Sequence, residues 1–105
     1  MVGDGAPEFL AELIDTFLDD APKQLRVLRS AVDRGDAEEA RRAAHTLKST
    51  AATFGAGQLS DVCRELESLG NAGALDEAAR LVARAETDFA RVKEALEAVR
   101  DGSRS

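Results

Sequence analysis

Apolar residues recur along the chain at spacings of three and four, the period of helices that bury one face. Phe9, Leu10, Leu13, Ile14, Phe17 and Leu18 open the pattern and predict a short helix over about 7–19. Pro7 suits a first helical position, where its missing N–H is not needed. Asp19-Asp20-Ala21-Pro22 reads as a break and a restart, with Asp20 as cap and Pro22 as an early helical residue. Leu25, Leu28, Ala31 and Val32 then stripe a second helix that ends near Arg34-Gly35. The third helix has a capping-box start, Asp36-Ala37-Glu38-Glu39, in which Asp36 accepts from the backbone and Glu39 reaches back. It runs to about Phe54, where Gly55 supplies a left-handed closing residue. A fourth helix, about 57–69, carries Leu59, Val62, Cys63, Leu66 and Leu69 and is closed by Gly70, with 71–73 as a turn. The fifth, about 74–100, places Leu75, Ala78, Val82, Ala85, Phe89, Val92, Leu96 and Val99 at alternating steps of three and four, the seam of a left-handed bundle.

Short loops between such helices favour antiparallel neighbours. The expected fold is all-α, an antiparallel up-down four-helix bundle with a short additional N-terminal helix. Residues 7–100 form the domain, with flexible ends at 1–6 and 101–105. A coiled-coil hairpin dimer is the alternative arrangement of the same helices. Roughly a third of the chain is Ala or Leu and Pro is scarce, which agrees with helix throughout.

Composition narrows the chemistry. The 105 residues include 14 Lys+Arg against 20 Asp+Glu, a net charge of -6, which argues against a nucleic-acid binder that neutralises phosphates. One Cys makes no internal disulfide, and one His with one Cys cannot supply the N and S donors of a zinc site. No apolar run reaches the roughly 18 residues of a membrane span, and the start lacks the basic and apolar regions of a signal peptide. A cytoplasmic domain is expected, with no metal, no cofactor and no membrane or nucleic-acid partner.

The single histidine is then the residue with chemistry. On a wheel of ~100° per residue with His45 at zero, Leu47, Phe54, Ala51, Ala40 and Ala43 all fall between ~160° and ~240°. His45 therefore points away from the core. Around it lie Arg41 and Lys48 on one flank, Glu38, Arg42 and Ser49 on the other, and Ala52 between. From Ala40 to Ser60 there is no Asp or Glu, although the chain is acidic. An exposed imidazole of ordinary pKa is largely neutral at pH 7 and can take a phosphoryl group on a ring nitrogen. The transferred group carries negative charge and needs a nearby cation, which Lys48 at i+3 offers. Ser49 and Ala52 are small enough for a partner protein to approach. Neither a phosphate-cradling glycine loop nor a second histidine is present, so the chain can carry a phosphoryl group but has no visible means of drawing one from ATP.

His45-Thr46-Leu47-Lys48-Ser49, followed by Phe54-Gly55-Ala56, resembles the signature of histidine-containing phosphotransfer domains of two-component phosphorelays: His-x-Leu-Lys-Gly, five residues, Gly. Asp36, Ala44, Leu59, Cys63 and Leu66-Glu67 agree with weaker features, and the likeness spans about Pro7 to Val99. Ser49 departs from the usual Gly, one small residue for another. The resemblance implies a carrier, not an enzyme with its own kinase activity. His45 would accept a phosphoryl group from a receiver-domain aspartate, on the ring nitrogen farther from the backbone, and relay it to another response-regulator aspartate. Lys48 would stabilise the phosphoryl oxygens. Arg41, Arg42, Ser49 and Ala52 would meet the partner, Leu47 and Gly55 would serve structure, and Glu67 would stand as a polar neighbour of the histidine. The magnesium ion belongs to the receiver, and a monomer is expected.

Blander readings exist for each residue. A lone helical His or Lys is commonly a solvated surface residue, Arg41 and Arg42 can simply balance Glu38 and Glu39, and Cys63 falls on an apolar stripe as a small core residue. Two other functions fit the same motif: a four-helix scaffold that binds receivers without carrying phosphate, and the phosphorylated domain of a chemotaxis-type histidine kinase.

Overall fold

The computed structural model describes residues 5–104. Four helices form a bundle: α1 Gly5–Arg34, α2 Ala37–Thr53, α3 Gly57–Ala72 and α4 Ala78–Arg104, with a short 3-10 turn at Leu75–Glu77. Each helix packs on the next and α4 closes back on α1. Ion pairs record the antiparallel register of the first and last helices: Asp15 meets Arg100 at 3.0 Å and Arg29 meets Glu86 at 2.8 Å. The core collects Phe17, Leu28, Leu47, Leu59, Leu66, Val82 and Cys63, all essentially without exposure. Phe17 stacks on Phe54 with centroids 4.9 Å apart and meets Phe89 edge-on at 5.8 Å, which joins α1, the end of α2 and α4.

The expected extra N-terminal helix is not present: 7–19 and the helix after it are one continuous α1, with Pro22 inside. Pro7 therefore lies within its first turn. Proline in a helix interior costs about 3 kcal/mol, because a backbone donor is lost and the ring crowds the preceding turn. Continuity offsets this. Ile14, Phe17, Ala21, Leu25, Leu28 and Ala31 are all buried on one unbroken stripe. Each large apolar side chain kept in the core is worth about 1.5–3 kcal/mol, so Ile14 and Phe17 alone outweigh the proline.

The other boundaries follow local chemistry. The Glu39 amide donates to the Asp36 carboxylate at 3.1 Å, the cap expected of Asp36. Glu39 does not reach back as the capping box implied; its carboxylate lies 3.5 Å from the Arg34 guanidinium. Gly55 has φ +71° and ends α2, with the Ala56 amide returning to the Ala51 carbonyl at 2.9 Å. Gly70 was expected to close α3, but the helix continues through the expected 71–73 turn to Ala72, and Gly73 at φ +68° closes it. Gly70 is instead a packing residue. A Cβ there would stand 2.9 Å from Arg41 Cβ and 3.0 Å from the Ala37 carbonyl oxygen, so α2 and α3 touch backbone to backbone. Of the expected flexible ends, residues 1–4 and 105 lie outside the described residues, while Gly5 and Ala6 open α1 and 101–104 continue α4.

Two substitutions test this. Pro22→Ala raises stability by about 1–3 kcal/mol in urea unfolding with helix content unchanged, since the interior of a single helix gains a donor; a helix start at that point would show no gain. Gly70→Ala lowers stability by about 1–2 kcal/mol, because overpacking against backbone outweighs alanine's better helix propensity.

Candidate functional site: an imidazole held by a carboxylate

The buried alanines of α2, Ala40, Ala43, Ala44 and Ala51, with Leu47, form the face that packs into the bundle. His45 lies on the opposite face with 56% of its side chain exposed. Ser49, Ala52 and Arg42 are exposed on the same side, while Leu47 is buried. Arg41 is half-buried and donates twice to Glu38, at 3.1 and 2.7 Å, and the Arg42 guanidinium lies 3.6 Å from the same carboxylate. The two arginines are thus anchored to α2's own first turn.

Glu67 is the centre of the site, a larger part than the sequence suggested. It projects from α3, with only 15% of its side chain exposed. One oxygen lies 2.8 Å from His45 Nδ1 and the other accepts from Lys48 Nζ at 2.6 Å. The Lys48 hydrogen bond, with help from His45 and against the cost of burial, holds the Glu67 carboxyl below its ordinary pKa. Glu67 is therefore ionised at neutral pH and can only accept. Against that acceptor Nδ1 of His45 is the donor, which leaves Nε2 as the ring nitrogen that holds a lone pair when the ring is uncharged.

Helix α3 is pinned next to this pair. The Ser60 hydroxyl, almost buried, donates to the Lys48 carbonyl at 3.2 Å, and Gly70 permits the close helix approach one turn beyond Glu67. Ser60 was not singled out from sequence, where it reads as an ordinary first-turn serine. Glu67 had a signal: it follows Leu66 directly, so it borders the buried stripe of α3. Cys63 is fully buried, and burial with the nearby Asp88 charge pushes its thiol up to about 12. It is a core residue without the thiolate that redox chemistry needs. Among the described residues no group of three or more His, Cys, Asp or Glu is gathered to hold a metal ion, and no helix is long and apolar enough to cross a membrane.

The helical bundle displays one hydrogen-bonded imidazole at mid-helix, an arrangement chemically suited to carrying a phosphoryl group. The chain belongs to the Hpt domain family, whose model matches residues 12–102. It is similar to the crystal structure of histidine-containing phosphotransfer protein B (HptB) from Pseudomonas aeruginosa PAO1, with a TM-score of 0.84 and 35% identity over 87% of this chain and 79% of that one. No match was found among curated proteins. The protein is a histidine phosphotransfer protein of a phosphorelay, a phosphoryl carrier rather than a kinase.

The pairing predicts a titration. Glu67's depressed pKa contributes stability that is present above the ordinary glutamate range and lost as pH falls through the folded-state value. Lys48→Met removes the larger cause, so the Glu67 carboxyl resonance titrates at higher pH. His45→Gln moves it less.

Proposed function

We propose that His45 Nε2 is the phosphoryl acceptor and donor of this carrier, with a receiver-domain aspartate on the other side of each transfer. The supporting observation is the 2.8 Å contact between Nδ1 and an ionised Glu67. The Nε2 lone pair attacks phosphorus of the aspartyl phosphate, the P–O bond to the aspartate breaks, and its electron pair returns to that carboxylate. The ring gains positive charge as the N–P bond forms, and Glu67 sits where it compensates that charge. In the reverse step Nδ1–H lets the ring depart as neutral imidazole instead of imidazolate, a far poorer leaving group. Glu67 therefore supports transfer in both directions.

Lys48 has a divided role on this reading. In the free protein it is tied to Glu67 at 2.6 Å, and its flexible stem lets the ammonium turn to the phosphoryl oxygens once they arrive. Small exposed Ser49 and Ala52 leave room for the receiver, with Arg42 and Arg41 at the rim. The unit of function is residues 7–100, acting as a monomer in the cytoplasm, where receivers are found. It needs no metal or cofactor of its own, since the carrier's step uses only a lone pair.

Incubation with a phosphorylated receiver tests this. Acid-labile, base-stable label transfers to the chain and is absent in His45→Gln. Glu67→Ala slows transfer about tenfold or more while receiver binding persists. Binding without label on the wild-type chain would instead favour a scaffold, and an unchanged rate in Glu67→Ala would remove the carboxylate from the mechanism.

A further inference from the structure

The side-chain donors that flank His45 on α2 already have acceptors, with one exception. Lys48 Nζ donates to Glu67 at 2.6 Å. Arg41 donates to Glu38 at 3.1 and 2.7 Å, and the Arg42 guanidinium lies 3.6 Å from the same carboxylate. The helix hydroxyls are committed as well, each to the carbonyl one turn back. Thr46 donates to Arg42 at 3.1 Å, Thr50 to Thr46 at 2.9 Å and Thr53 to Ser49 at 3.1 Å. Ser49 breaks this pattern. It is exposed, and among the described residues its hydroxyl makes no hydrogen bond, not even to the His45 carbonyl one turn back.

The position of that hydroxyl gives it a use. Ser49 stands four residues after His45, so the two Cβ atoms are about 5–6 Å apart on one face of the helix. Helical side chains lean toward the N-terminus, which carries the Ser49 oxygen over the turn that holds His45. A serine hydroxyl rotates to suit its acceptor and needs no charge to donate. For the cations, reaching a phosphoryl oxygen costs an existing bond. Lys48 must leave Glu67, the carboxylate that also holds His45 Nδ1, and Arg41 must leave Glu38. Ser49 gives up only water.

We propose that Ser49 is a catalytic residue of this carrier, its hydroxyl donating a hydrogen bond to a phosphoryl oxygen as the group passes to or from His45 Nε2. The proposal rests on His45 as the acceptor. Ser49 makes no bond to phosphorus and keeps its proton. The N–P bond forms and the P–O bond to the receiver aspartate breaks, with the electron pair left on that carboxylate, while the serine O–H meets charge on an oxygen that neither attacks nor leaves. This role is distinct from the room that a small side chain leaves for a receiver, because alanine leaves the same room and has no hydroxyl.

Ser49→Ala in the full chain therefore separates the two. The first donor is phosphoramidate, a small molecule that brings no receiver surface. The wild-type chain gains acid-labile label on His45, and Ser49→Ala gains it about fivefold to tenfold more slowly. The loss stays below the roughly hundredfold of a buried oxyanion donor because water reaches an exposed site. Thr53→Ala, which removes a hydroxyl already committed, is labelled at the wild-type rate. With a phosphorylated receiver as donor, Ser49→Ala slows transfer by a similar factor while receiver affinity is unchanged. The 31P resonance of the phosphohistidine differs between wild type and Ser49→Ala. Equal phosphoramidate rates in wild type and Ser49→Ala, or an identical 31P resonance, overturn the proposal and leave His45 as the acceptor. An equal loss in Thr53→Ala, or acid-stable label on Ser49 itself, also overturns it. No label on any form overturns the reading of His45 and this proposal with it.

Discussion

Helices α2 and α3 pass backbone against backbone because residue 70 has no side chain. With Arg41 Cβ and the Ala37 carbonyl about to touch any Cβ placed there, the distance between the two helices is fixed at that point. Glu67 precedes Gly70 by one turn on the same helix, and the fixed distance brings its carboxylate to 2.8 Å from His45 and 2.6 Å from Lys48. A wider spacing would leave an exposed imidazole free to choose either tautomer. The alanines of α2 act in the same direction, since small buried side chains keep that helix close to its neighbours.

Charge is arranged in two zones along a molecule 52 Å long and 19 Å across. The zone around His45 keeps its cations tied, Lys48 to Glu67 and Arg41 to Glu38, so charge beside the exposed imidazole is compensated within the chain. The far end of α1 carries its acids exposed beside apolar side chains. The phenylalanine cluster of Phe17, Phe54 and Phe89 lies where α2 ends and joins that end to α1 and α4.

Much of this was legible in the chain. The three-four periodicity gave the bundle, and the wheel sent His45 outward because Leu47 and the alanines of α2 share one face. The signature from His45 to Gly55 was readable because its residues are neighbours in sequence. The errors share a cause. Pro22 and Gly70 both carry strong local signals, one for a helix start and one for a helix end, and in both places packing prevailed. The buried stripe through Ile14, Phe17 and Ala21 carried α1 across the proline, and the contact with Arg41 turned Gly70 from a terminator into a point of close approach.

The sequence by itself determined most of the helical segments, which face each helix would bury and that the single histidine would stand outward. These depend on propensity and on residues a few positions apart. Only the tertiary structure decided that Glu67, 22 residues from His45, sets the tautomer of the ring, and that Lys48 rests on that carboxylate. A hydrogen bond between helices depends on their spacing and register to within a fraction of an ångström. That is a property of the whole packed core, and no local pattern in the chain encodes it.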